Sequence, residues 1–203
     1  VSRDWSSDVC SSDLENYPAR SVYKLKEIDG RFKIFRKGMK VLDLGAAPGS
    51  WSLGAAERVG AQGKVLACDI QSTVTVFPPN VEFHQEDVFQ RSEAFERQLA
   101  ETGPFHVVMS DMAPQTTGTK FTDQARSLEL CLEALAVAEK YLVKGGSFVV
   151  KIFMGPDVGE LLKGMRPRFA RVTSFKPQSS RVESKETFFV GLGFKGKEAD
   201  GAR

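Results

Sequence analysis

Cysteine is scarce in this 203-residue chain, and the three it has do not pair. Cys10, Cys68 and Cys131 lie far apart and in no CxxC spacing, and the two histidines, His84 and His106, stand alone. A disulfide framework and a zinc site are therefore not expected, no metal is assigned, and the chain reads as cytoplasmic with reduced thiols. Long apolar runs are missing as well. None approaches the roughly 20 residues needed to cross a bilayer, and the start carries no charged-then-apolar leader, so neither a membrane nor export is expected. Absent too is the GxGxxG spacing that seats a dinucleotide pyrophosphate on a helix N-terminus, which weighs against a nicotinamide dehydrogenase.

An excess of one charge is also missing, since the net charge is only +2. The distribution is uneven, however. Residues 20–40 carry Arg20, Lys24, Lys26, Arg31, Lys33, Arg36, Lys37 and Lys40 against Glu27 and Asp29. Residues 163–185 carry Lys163, Arg166, Arg168, Arg171, Lys176, Arg181 and Lys185 against Glu183. The rest of the chain must then be acidic. Two basic segments on an acidic body are the footprint of a polyanion binder, although two solvated faces would give the same count.

Residues 1–14, VSRDWSSDVCSSDL, repeat a Ser-Ser-Asp theme with neither helical nor strand periodicity. They resemble translated adapter sequence and are expected to be non-native or disordered. A domain is expected over 15–195, followed by a tail over 196–203. A monomer is expected, because no unexplained apolar surface is evident.

From Glu15 onward the pattern is regular. Val22, Leu25, Ile28 and Phe32 fall at helical spacing. Strands are predicted at 41–44, 64–70, 81–87, 105–111 and 146–153, with helices between them, a further helix near 157–166, and β runs at 169–175 and 186–193. Nearly continuous apolar strands alternating with helices predict a parallel sheet covered on both faces. About ten residues separate the last two β runs, too few for a helical crossover, so an antiparallel pair is predicted there. The expected fold is α/β: a doubly wound, mostly parallel, seven-stranded Rossmann-like sheet with one antiparallel terminal strand.

In such sheets ligands bind beyond the carboxyl ends of the strands. The first strand ends in Asp43-Leu44-Gly45-Ala46-Ala47-Pro48-Gly49-Ser50-Trp51. Gly45 permits a tight turn, and Gly49 allows backbone to approach a ligand. Asp69 closes the second strand, where a carboxylate can accept from both ribose hydroxyls of a nucleoside. Asp87 follows the third strand, placed to meet an adenine amino group. Singly, either acid reads equally well as a helix cap or a solvated charge. Together with the turn they describe a nucleoside site lacking a pyrophosphate cradle, which points to S-adenosylmethionine.

Six motifs add a specific likeness: ARSVYKLKEID (19–29), VLDLGAAPGSWS (41–52), ACD (67–69), VMSDMAPQTTGT (108–119), GGSFVVKIF (145–153) and SSRVESKETFFV (179–190). From about Glu15 to Lys195 the chain resembles the FtsJ/RrmJ family of ribosomal RNA 2′-O-methyltransferases, in particular members acting on bacterial 23S rRNA. The resemblance implies a Rossmann-like methyltransferase fold, S-adenosylmethionine as cofactor, and 2′-O-methylation of a uridine in large-subunit RNA. It also implies a catalytic tetrad of Lys24, Asp111, Lys151 and Glu186. A cofactor site would be formed by Gly45, Ala46, Pro48, Gly49, Trp51, Asp69, Asp87 and Asp111, with Trp51 lining the pocket. RNA or the large subunit would be gripped by the segments 20–40 and 163–185.

The residues support part of this by themselves. Lys151 ends the buried run Ser147-Phe148-Val149-Val150, where a lysine is costly, and Asp111 ends the neighbouring strand in the same way. A buried ion pair is the plain alternative. As a base, Lys151 would take the proton of the ribose hydroxyl. Burial and Lys24 favour its neutral form and the two carboxylates its charged form, so the sequence leaves that balance open. Two departures from the family stand out. Ser50 replaces a usual glycine, and residues 1–14 stand where members often carry a basic extension, so weaker RNA binding is expected. Methylation of tRNA or another RNA, and a non-catalytic binding module, are the rival readings.

Overall fold

The computed structural model describes residues 17–181 and 184–196. The segment 1–14 and the tail 196–203, apart from Gly196, lie outside the described residues. α1 (Ser21–Phe32) precedes β1 (Lys40–Leu44), α2 (Ser50–Val59), β2 (Lys64–Asp69), β3 (Val81–Gln85) and α3 (Glu93–Thr102). β4 (Phe105–Ser110), α4 (Lys120–Tyr141), β5 (Leu142–Phe153), α5 (Val158–Arg168), β6 (Phe169–Phe175) and β7 (Glu186–Phe194) follow.

The strands form one seven-stranded sheet in the order β3-β2-β1-β4-β5-β7-β6. β3, β2, β1, β4 and β5 are mutually parallel, and β7 runs antiparallel to both β5 and β6. The reversed strand is thus last in the chain but lies inside the sheet. The chain starts in the middle at β1, winds outward to β3, and returns to the other side of β1 at β4. A crevice opens between such diverging connections, at the carboxyl ends of β1 and β4.

Strand periodicity divides the core. Val41, Val65, Val107, Met109, Val149, Phe188 and Val190 face Leu25, Ile28, Trp51 and Ala55 of α1 and α2. Leu42, Leu66, Val108, Phe148, Val150 and Ile152 face Phe95, Leu99, Cys131, Leu135 and Leu161 of α3, α4 and α5. Both faces are covered, which is why the strands read as unbroken apolar runs instead of alternating ones. β5 begins four residues earlier than its sequence predicts, because Leu142 pairs with Phe105 ahead of a register shift. Gly145, at φ +84°, lets the chain cross that irregularity. No helix among the described residues is long and apolar enough to cross a membrane.

Candidate active site

Register assembles the site. Ala67, Asp43, Met109 and Val149 lie side by side across β2, β1, β4 and β5. Two residues further along each strand come Asp69, Gly45, Asp111 and Lys151, and a two-residue step returns side chains to the same face. That face is the one covered by α1 and α2. The carboxyl edge of the sheet therefore presents two acids and a lysine in one row, with a glycine leaving a notch between the acids.

The turn after β1 is built around this notch. Gly45 holds φ +78°, and the Gly45 and Ala46 N–H groups both donate to the Cys68 carbonyl, at 2.8 and 3.0 Å. A Cβ at Gly45 would run into the Met112 side chain. Asp69 braces the turn, its two oxygens accepting from the Ala47 N–H at 2.9 Å and the Gln71 N–H at 2.8 Å. Each oxygen keeps a lone pair for a further donor. Asp87 Oδ1 caps its own loop by accepting from the Phe89 N–H at 2.8 Å.

Trp51 turns its indole inward from the start of α2. It is 2% exposed, stacks on Phe188 with ring centroids 5.6 Å apart, and donates its indole N–H to the Ser21 carbonyl at 2.9 Å. The indole is the largest apolar group near the α1–α2 contact, and burial there outweighs display at the turn. The α-carbon of Gly49 is also closely approached. A Cβ there would lie 2.7 Å from the Phe77 ring, and the Thr73 and Thr75 hydroxyls both donate to the Pro48 carbonyl. The β2–β3 connection approaches Gly49, at φ +113°, and with it exposes Ile70, Val74 and Val76.

Asp43 is a site residue that sequence reading missed. Its carboxylate is 0% exposed, and it accepts the Ser52 hydroxyl on Oδ2 at 2.6 Å, while Oδ1 is buried with no hydrogen-bond partner among the described residues. Burial, and after it the charges of Asp111 and Asp69, push its pKa up to about 7, against the pull of the Ser52 bond. The signal was present as an acid between Leu42 and Leu44 in a strand buried on both faces.

The four tetrad positions meet as two ion pairs. Lys24 of α1 pairs with Glu186 at the start of β7. Lys151 at the end of β5, 9% exposed, donates to the Asp111 carbonyl at 2.6 Å and stands 3.0 Å from Asp111 Oδ1. That oxygen is buried and lacks a well-aligned hydrogen bond, although the cation is close. Burial raises the Asp111 pKa, opposed by Lys151 and Lys24. Glu186 is held further by the Ser180 hydroxyl, which donates to Oε1 at 3.2 Å. Ser180 and Glu27, whose carboxylate holds the loop before β7, were likewise not singled out by sequence, since a lone serine or helix glutamate carries no signal.

No cluster of three or more His, Cys, Asp or Glu among the described residues is poised to hold a metal ion. Grooves of about 930 Å³ beside the end of α2 and about 380 Å³ between α1 and α2 contain no tetrad residue. Charge and register mark the site here, and cavity size does not.

The model of the FtsJ-like methyltransferases matches residues 17–194. The chain belongs to that family. A Nitratidesulfovibrio vulgaris (Miyazaki F) protein named ribosomal RNA large subunit methyltransferase E is 78% identical over 182 residues, covering 90% of each chain. One of the same name from Bdellovibrio bacteriovorus is 52% identical, covering 88% of this chain and 91% of its own. Among solved structures, a Plasmodium falciparum protein assigned as a ribosomal RNA methyltransferase superposes with a TM-score of 0.78 at 27% identity. It covers 89% of this chain and 100% of its own. The fold extends to Methanococcus jannaschii fibrillarin, with a TM-score of 0.55 at 17% identity. This FtsJ-like chain thus combines the family's sheet with a carboxyl edge that carries both ion pairs.

Proposed function

We propose that this protein transfers the methyl group of S-adenosylmethionine to a ribose 2′-hydroxyl, that of a uridine in large-subunit (23S) ribosomal RNA, working as a cytoplasmic monomer. The observation that carries the reading is the row Asp69, Gly45, Asp111 and Lys151, faced by the Lys24–Glu186 pair. Relatives of up to 78% identity bear a large-subunit rRNA methyltransferase name, which supports the choice of RNA.

The residues suit the cofactor. Asp43 Oδ1 is buried with no hydrogen-bond donor among the described residues, Asp111 Oδ1 faces Lys151 Nζ alone, and with Asp69 these carboxylates line the notch. Such carboxylates favour a ligand carrying a sulfonium and an ammonium. Bound there, S-adenosylmethionine supplies an electrophilic methyl. Gly45, Ala46, Pro48 and Gly49 form the turn that would shape the pocket, Asp69 would take the ribose hydroxyls, and Asp87 the adenine amino group. Asp111 would receive the ligand's ammonium.

A ribose hydroxyl is a weak nucleophile at neutral pH and must lose its proton in or before the transition state. Lys151 Nζ, as the free amine with its lone pair available, receives that proton and becomes the ammonium, while the Asp111 carbonyl and carboxylate aim the nitrogen. Such a base contributes about 10²–10⁴-fold. Lys24, fixed by Glu186, approaches from the α1 side and positions the ribose, and alignment of the hydroxyl with the methyl supplies much of the rest. Segments 20–40 and 163–185 would hold the RNA backbone.

The test is transfer of labelled methyl to unmodified large ribosomal subunits, with naked rRNA, tRNA and Lys151→Ala protein alongside. Ribose-linked label on large-subunit RNA is expected. The variant should lose transfer and keep S-adenosylmethionine affinity within about twofold. Label on tRNA alone would overturn the substrate, and joint loss of binding and transfer would reassign Lys151 to the cofactor. Cofactor binding without transfer to any RNA would favour a binding module.

A further inference from the structure

We infer that Glu27 is a latch. Its carboxylate fixes Gln178 and Ser179 in the loop before β7, which lead into Ser180, the partner of Glu186, and so sets the geometry of the Lys24–Glu186 pair. Glu27 is a positioning residue and not a catalytic one. Its effect on rate rests on the proposed methyl transfer, while its effect on the loop does not.

Lys24 and Glu27 stand three residues apart on α1, neighbours on one helical face. Lys24 reaches Glu186 directly. Glu27 accepts the Gln178 N–H on Oε2 at 2.6 Å and the Ser179 N–H on Oε1 at 2.8 Å. Hydrogen bonds to a carboxylate are shorter and stronger than neutral ones, and two consecutive amides on one carboxylate fix both position and rotation. The next residue, Ser180, is buried and donates to Glu186. Two routes therefore run from α1 to Glu186, one through Lys24 and one through Glu27, the loop and Ser180. The loop's other bonds include internal ones: Ser180 N–H to the Pro177 carbonyl, Ser184 N–H to the Arg181 carbonyl, and Lys176 Nζ to the Ser184 carbonyl. Those shape the loop but do not anchor it to α1.

The latch also explains an acid where a polyanion would dock. Arg20, just before α1, and Lys26 and Arg31 on it are exposed, as are Lys176, Arg181 and Lys185 in the segment before β7. Phe32 packs edge-on against Phe175 at 5.5 Å, with Arg171 above its ring. The two basic segments thus meet along one seam, and Glu27 sits on it. A free carboxylate there would repel phosphate, whereas one that accepts two amides joins the halves.

The experiment uses Glu27→Ala, Glu27→Gln, Ser180→Ala and the Glu27→Ala/Ser180→Ala double variant of the full chain. Amide hydrogen exchange is followed at residues 178–181, with kcat, the KM for RNA, the S-adenosylmethionine Kd and thermal stability. We expect Glu27→Ala to speed exchange at Gln178 and Ser179 at least tenfold. Its kcat should fall tenfold to a hundredfold, the scale of an ångström misplacement, with cofactor Kd within twofold. Glu27→Gln keeps one acceptor and should fall between. The double variant should be no slower than the slower single one, because both act through one path. Unchanged exchange, kcat within twofold of wild type, or multiplicative single effects would each overturn the latch. Should Glu27→Ala fail to fold, Glu27→Gln decides by the same criteria. A wild-type protein that methylates no RNA would refute the proposed function, and the exchange experiment would still judge the latch by itself.

Discussion

Replacing Asp43 by Asn should make the protein more stable and its cofactor site weaker, with the stability gain growing as pH rises. Asp43 is fully buried, and its pKa is pushed from an ordinary 3.8 to about 7, first by burial and then by Asp111 and Asp69. A raised carboxyl pKa means that the folded state holds a proton the unfolded state has released. Stability from this group is therefore complete below about pH 4 and is lost as pH climbs through 7. About two units of the shift lie between pH 5 and pH 7. At about 1.4 kcal/mol per unit, the gain from Asp43→Asn should grow by about 3 kcal/mol between pH 5 and pH 8.5. For a domain of this size that is a growth in ΔTm of about 6–12 °C. The Asn amide keeps an acceptor for the Ser52 hydroxyl, and any cost of its unpaired N–H is the same at both pH values and cancels from the comparison. Thermal melts of both proteins at pH 5 and 8.5 measure the effect. Calorimetry with S-adenosylmethionine should show wild-type affinity rising through pH 7 as Asp43 ionises toward a cation, and the variant weaker and flat. A ΔTm that ignores pH, or cofactor binding that survives unchanged, would refute the reasoning.

Gly45→Ala should be costlier than an ordinary glycine substitution. The residue holds φ +78° and its Cβ would strike Met112, so a loss of about 1–3 kcal/mol in chemical denaturation is expected together with weaker cofactor binding. Glu96 receives hydrogen bonds from Lys140, Tyr141 and Arg91, the first being the strongest influence, and its pKa falls to about 2. Stability from it is present above an ordinary 4.5 and is lost as pH drops through 2. Glu96→Gln should therefore lower Tm at neutral pH and flatten its decline between pH 4.5 and 2, which melts in acid buffers would read.

Elements carried by periodicity were the most legible in the sequence. The strand runs were recognisable because both sheet faces are covered, and the antiparallel β7 because ten residues cannot make a crossover. The early start of β5 was hidden, since Leu142 pairs with Phe105 across a glycine-bearing irregularity that leaves no apolar pattern. At the site, Lys151 and Asp111 declared themselves as charges at the ends of buried strands. Glu186 stood out less, as an acid opening the last strand, and Lys24 not at all, because an amphipathic helix admits solvated charges; Lys24 was identified only through the family resemblance. The burial of the Trp51 indole was hidden as well, because it is decided by α1 and Phe188, which are remote in sequence. Glu27 and Ser180 depend on a contact between the first helix and the last loop, and no local pattern encodes it.

The placement of β7 has a consequence for the order in which this protein becomes active. Because that strand runs backward between β5 and β6, it begins at the edge where its parallel neighbours end, and Glu186 arrives there late in synthesis. Lys24 is made on α1 and waits for a partner on β7, with the rest of the sheet between them in the chain. Contacts so far apart in sequence close slowly and late in folding. A nascent chain that has emerged only through β5 would carry Lys151, Asp111 and the notch, yet lack the ion pair and loop facing them. The proposed site is therefore assembled only once β7 has emerged, so that an enzyme acting on ribosomal RNA would have made its whole sheet before it could modify any.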